Sequence, residues 1–196
     1  MILYFDTETT SLRPGQICQL SYVMQEGISL RARNLFFTVD SMDYSAYAVH
    51  GFSLEKLSVL SNGKRFEDYI DIIEQDFACA DLIVSHNTAF DFMFMRAEYE
   101  RLGKVFAPKK EFCSMKKFTP ICKLPKNRGE GYKYPKLSEL CEFLHISNQK
   151  ISDASQKIFG ANAGFHDARF DTTAVVLALN AGVKEVVELE EIKNYL

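Results

Sequence analysis

The chain opens on a continuous apolar run, Ile2 to Phe5, that ends in two acids spaced by one residue, Asp6 and Glu8. Such a run predicts a buried strand over residues 1–6. Thr10 to Gly15 contains Pro and Gly and predicts a turn. Two further strands are predicted over Gln16 to Gln25 and Ile28 to Val39, joined by a tight turn at Glu26-Gly27. Helical patterns follow: a short one over Ser53 to Leu60 with Ser53 as N-cap, and a longer one over Phe66 to Ala78, apolar at 66, 69, 70, 73 and 77. DLIVS (81–85) reads as a short buried strand, and Thr88 to Leu102 as a helix stopped by Gly103. Phe112 to Met115 reads as a last strand. Residues 116–135, with three prolines and two glycines, read as loop. Helices are expected over Leu137 to Leu144, Asp153 to Phe159, Asp167 to Ala181 (closed by Gly182) and Lys184 to Tyr195. Strands first and strand–helix alternation afterwards predict an α/β fold, a mixed sheet with helices on both faces.

Composition narrows this only slightly. With 196 residues, 47% hydrophobic and 25% charged, the chain suits a single soluble domain over residues 1–196. The start does not read as a signal peptide, and no apolar run approaches membrane-spanning length. The five cysteines are odd in number and form no C-x-x-C pair, which argues against a zinc ribbon or disulfide framework and for a reducing, cytoplasmic setting. Charge is more informative. The net charge is −3, yet Arg101 to Lys136 holds eleven Lys/Arg against two Glu, a local +9 in an otherwise acidic protein. Such a block is either a solvated loop or a surface for an anionic partner.

On a strand, Asp6 and Glu8 point to one face, with Cα atoms roughly 6.6–7 Å apart. Either the strand has emerged into solvent there, or divalent cations neutralise the pair, since Mg²⁺ and Mn²⁺ take oxygen ligands. Asp91 lies in SHNTAFDFMFM, where Thr88 as N-cap and Asp91 three residues on resemble a capping box. A cap and a functional acid are both open readings there. Asp171 lies in GFHDARFDTTAVVLAL, with Asp167 a natural N-cap. Two helical residues five apart point about 140° apart. His166 can therefore face the same site as Asp171 only from outside the helix.

Taken together, YFDTETT, HNTAFD and HDARFD resemble, in order, the three signature motifs of the DEDD 3′→5′ exonucleases. The separations are 85 residues from Asp6 to Asp91 and 80 more to Asp171. The spacing of His166 and Asp171 is that of the DEDDh branch, to which proofreading subunits belong. AVHGF (48–52) is similar to a His-Gly-Ile element of many bacterial members, with Phe52 in place of Ile. The resemblance implies a ribonuclease H-like fold, a five-stranded mixed sheet flanked by helices on both faces. It implies two Mg²⁺ (or Mn²⁺) held by Asp6, Glu8, Asp91 and Asp171, with Asp6 bridging and His166 as general base. Its chemistry is an in-line displacement clamped by two metals. Leu12, His50 and Phe90 match positions that hold the terminal nucleotide, and the backbone around Thr7 and Thr9 joins them.

The implied partner is the 3′ end of a single-stranded nucleic acid, with DNA favoured over RNA. The alternatives are an RNA exonuclease trimming tRNA or short oligoribonucleotides, and a non-catalytic nucleic-acid-binding module. About 25 residues follow Asp171, which favours a stand-alone or small accessory enzyme over one docked on a polymerase by a long tail. Polymerase association and a homodimer remain open.

Overall fold

Ile2 to Phe5 are apolar without a break because both faces of their strand are covered. Ile2 and Tyr4 pack under one layer of helices, and Leu3 and Phe5 under another. The computed structural model describes residues 1–185. Five strands form one sheet in the order β3-β2-β1-β4-β5: β1 (Ile2–Thr9), β2 (Ile17–Glu26), β3 (Ser29–Phe36), β4 (Leu82–Ser85) and β5 (Glu111–Cys113). β1 to β3 form an antiparallel meander, and β4 and β5 run parallel to β1. The helices are α1 (Tyr44–His50), α2 (Leu54–Leu60), α3 (Ile70–Cys79, entered through a 3₁₀ turn, Phe66–Tyr69), α4 (Thr88–Arg101), α5 (Ser114–Cys122), α6 (Leu137–Phe143), α7 (Asn148–Phe159) and α8 (Ala168–Glu185).

One core layer joins Tyr4, Val84 and Phe112 to Leu140 of α6, Ile151 of α7, and Val175 and Leu179 of α8. The other joins Phe5 and Ile83 to Phe77 of α3 and Phe92 of α4. Phe5 stacks on Phe92 at 5.9 Å and meets Phe77 edge-on at 5.4 Å. A third, smaller cluster holds Cys18, Val39, Phe52 and Leu57 beneath α2.

Several predicted elements are revised. α1 was not foreseen: it buries no residue, so the sequence shows no apolar stripe there. Residues 116–135 are not all loop, because α5 occupies 114–122 with Pro120 inside its last turn. α7 begins five residues before the predicted Asp153, capped by Ser147, whose hydroxyl accepts from the Lys150 N–H. α8 runs through Gly182 to Glu185. The predicted helix Lys184 to Tyr195 lies, beyond the end of α8, outside the described residues. All five cysteines are free. Among the described residues no helix is long and apolar enough to cross a membrane.

The register leaves the carboxyl end of β1 without a parallel neighbour. β4 pairs with β1 only as far as Tyr4, opposite Val84. Beyond that point β4 ends and the chain turns into α4, so Asp6 and Glu8 continue past it. Clefts of this kind, at the carboxyl ends of strands, are where α/β sheets hold ligands.

Candidate active site

Asp6 and Glu8 sit opposite Ser21 and Gln19 of β2, on the α8 side of β1. α8 is pinned there by β2. Buried Gln19 accepts the Ala168 N–H at 3.1 Å and donates to Asp167 Oδ1 at 3.0 Å. Thr172 donates to the Ser21 carbonyl at 3.1 Å. Asp167 Oδ1 accepts the Arg169 N–H at 3.0 Å, which is the expected N-cap. His166 lies outside the helix in a left-handed conformation, φ 62°, as facing Asp171 required. Its backbone N–H donates to Asp171 Oδ2 at 3.2 Å.

Three of the four acids converge. Asp6, Glu8 and Asp171 each offer one carboxylate oxygen, and these lie within 4.8 Å of one another. Asp91 stands outside this trio, in the first turn of α4. Its Oδ1 accepts the Thr7 hydroxyl at 2.8 Å, and the residue is only 2% exposed. The capping reading of Thr88 and Asp91 is corrected: the N-cap is Asn87, left-handed at φ 85°, without a side-chain cap bond. Among its neighbouring carboxylates, Asp91 acts most strongly on Asp6.

The electrostatics are those of a site short of positive charge. Burial, then the charges of Asp91, Asp171, Glu8 and Asp167, hold Asp6 well above the usual carboxylate range. Burial and the charges of Asp171, Asp167 and Asp91 do the same to Glu8. Burial pushes Asp91 up to about 7 against the opposing Thr7 hydrogen bond. Asp171 is likewise pushed up to about 7, chiefly by burial. A divalent cation would relieve this, and the donor set fits one: oxygen only, anionic, with no thiolate or imidazole among the trio.

A cavity of about 570 Å³ opens beside the acids, lined by Asp6, Asp171, His166, Phe165, His86 and Lys136 among others. His166 is exposed there. The sequence reading passed over His86. Its Nε2 lies 3.0 Å from the Pro135 carbonyl, which can only accept, so Nε2 carries the proton. Nδ1 meets the Ser114 hydroxyl at 2.9 Å. Burial pushes this imidazole down to about 4.

None of the remaining candidates lines this cavity. His50 ends α1, where Gly51 takes the left-handed cap at φ 70°. Its Nε2 donates to the Thr9 carbonyl at 3.2 Å and its Nδ1 accepts the Phe52 N–H at 3.0 Å. Burial lowers its pKa, and the nearby His166 adds to the shift. Thr7 and Thr9 are buried with both hydroxyls engaged, Thr9 by the Ser11 carbonyl at 2.9 Å. Phe90 is half-buried against Phe94. Leu12 is 77% exposed and borders a separate hollow with Arg13 and Ser41.

No family model matches the sequence, and no curated protein matches it. Solved structures do. The zinc-bound complex of E. coli ExoI with single-stranded DNA superposes with a TM-score of 0.68 at 15% identity, over 97% of this chain. The fold is ribonuclease H-like. The metal-free form of the same ExoI complex gives a TM-score of 0.67 at 13% identity, over 96% of this chain. The chain spans about two fifths of the ExoI chains it matches, 42% and 40%. The five-stranded mixed sheet with its flanking helices agrees with the expectation from the sequence.

Proposed function

We propose that this chain is a divalent-cation-dependent 3′→5′ exonuclease of the DEDDh type. It would shorten single-stranded nucleic acid, DNA before RNA, and release 5′-mononucleotides. One observation carries the reading: Asp6, Glu8 and Asp171 converge, and two of them, Asp6 and Asp171, line one cavity with His166, which lies outside α8 in a left-handed conformation. The ExoI structures contain single-stranded DNA, which supports a single strand as the substrate.

Asp6, Glu8 and Asp171 are the residues that would hold Mg²⁺ or Mn²⁺, with Asp91 serving a second ion. Bound cations supply a more acidic water and charge neutralisation for the leaving oxygen. His166 takes the proton of the attacking water at its imidazole, the side chain suited to a base near neutrality. As the new P–O bond forms, the bond to the 3′-oxygen of the preceding nucleotide breaks. The shortened strand then carries a free 3′-hydroxyl. His50, Phe90, Leu12 and the Thr7–Thr9 backbone border the place of the terminal nucleotide.

The reading is tested by offering single-stranded DNA, duplex DNA with a mismatched 3′ end, and RNA, each with Mg²⁺ or Mn²⁺, against a chelator and Asp6→Ala. Cation-dependent mononucleotide release, fastest from single-stranded DNA, is expected. Release from RNA alone would make this an RNA-trimming enzyme. Binding without release from any substrate would leave a non-catalytic module.

A further inference from the structure

The basic stretch does not fold as one loop. After α5, Lys123 turns the chain in a left-handed conformation, φ 51°. Residues 124–133 then form a short two-stranded ribbon: Pro125 bridges Tyr132, and the Lys133 N–H donates to the Leu124 carbonyl at 2.9 Å. Gly129 and Gly131, both at positive φ, make its tip. The returning strand leads straight to the acids. Pro135 is buried, its carbonyl takes the His86 Nε2 proton, and the next residue, Lys136, lines the cavity shared by Asp6, His166 and Asp171. The ribbon is therefore anchored to the rim of the candidate site.

Its surface is cationic and aromatic. Lys123, Lys126, Arg128 and Lys136 are exposed, and among the described residues none of them forms an ion pair. Lys133 differs, being paired with Glu139. Glu130 is the single acid between Lys123 and Lys136. Tyr132 and Tyr134 are 45% and 59% exposed. A cluster of carboxylates repels phosphates, whereas this arm, attached to the same cavity, attracts them. A polyanion whose end enters the cavity satisfies both.

We propose that residues 123–136 form the track for the strand. On the exonuclease reading, the ribbon would carry the nucleotides 5′ of the scissile phosphate. Lys123, Lys126, Arg128 and Lys136 meet phosphates, and Tyr132 and Tyr134 meet bases. Stacking of this kind is indifferent to sequence because every base has a π-face.

The test separates the track from the chemistry. Wild type, the double variant Lys126→Gln/Arg128→Gln, and Tyr134→Ala are compared in two assays. The first is hydrolysis of the p-nitrophenyl ester of thymidine 5′-monophosphate, a substrate too small to reach from the cavity along the ribbon. The second is fluorescence anisotropy of a single strand about 12 nucleotides long, with a chelator present, over a salt series. The double variant should hydrolyse the ester as wild type does. Its affinity for the strand should fall about fivefold, with a salt slope shallower by about 1.4. Tyr134→Ala should lose about tenfold in affinity with the slope unchanged. Wild-type affinity and slope in the double variant would overturn the track, as would a wild type that binds no single strand or an ester rate that falls in step with binding. If wild type binds the strand in this way but never cleaves the ester, the exonuclease reading fails while the track stands.

Discussion

Thr7, which lies between Asp6 and Glu8 on β1 and points its side chain to the other face, donates its hydroxyl to Asp91 across 2.8 Å. One strand thus presents two acids on one side and fixes a third from the other. The residues are 84 apart in sequence. Thr7→Val keeps the shape and removes the donor. Outer-shell losses of this kind cost about 10–100-fold in activity or metal affinity. We expect kcat/KM on single-stranded DNA to fall within that range, and Thr7→Ser to restore most of it.

Gln19 holds the head of α8 through Ala168 and Asp167 while its amide also meets Asn34 at 2.8 Å. Gln19→Leu would leave the Ala168 N–H without the partner it has, while Asp167 Oδ1 and Asn34 Oδ1 would each lose one donor and keep another. Unsatisfied groups of this sort cost about 1–3 kcal/mol each. Chemical denaturation should show a loss of that order, and turnover should fall because His166 and Asp171 depend on where α8 begins.

These two relationships mark where the sequence became silent. The strands were legible because burial on both faces leaves unbroken apolar runs such as Ile2 to Phe5. The head of α8 was legible because Asp167 caps it and His166 had to lie outside it. Asp91 was ambiguous, since a cap and a site acid use the same residue at the same offset. Only the register that sets Thr7 beside it decides against the cap. α1 was silent because Tyr44 to His50 bury nothing. α5 was hidden by Pro120 and by its cationic sequence. His86 gave no signal of its own, because its role depends on Ser114 and Pro135, which reach it across 28 and 49 residues.

The acids predict a linkage between pH and cations. Asp91 and Asp171 are pushed up to about 7, from an ordinary value near 3.8. Between those values the folded chain holds protons that the unfolded chain releases, so these groups contribute stability at low pH that is lost as pH rises toward 7. Cations bind the deprotonated form. Thermal unfolding should therefore show a larger Mg²⁺-induced gain in Tm at pH 8 than at pH 5.5. Asp171→Asn should raise the Tm of chelated protein at pH 8 and shrink the Mg²⁺ gain. A gain equal at both pH values would contradict this.

His86 has the opposite sign. Its folded value is pushed down to about 4 by burial, below the ordinary 6.5. Its contribution is complete above 6.5 and is lost as pH falls toward 4. Replacing it with Gln should flatten the stability curve between pH 6.5 and 4.5 relative to wild type. It should also loosen the ribbon anchored at Pro135, visible as faster amide exchange over residues 124–136.

His166→Ala tests the assignment of a base rather than a ligand. A missing general base costs about 10²–10⁴-fold in rate. We expect kcat to fall within that range while the Mg²⁺ concentration for half-maximal stabilisation stays as in wild type. Equal losses in both would make His166 a ligand.

The central claim is met most directly by following a 5′-labelled single strand of DNA through a time course with Mg²⁺, with products identified by mass. We predict a ladder shortening from the 3′ end, 5′-mononucleotides as the released species, and no change with a chelator or with Asp6→Ala. A strand left intact by wild type, or one shortened equally by Asp6→Ala, would contradict it.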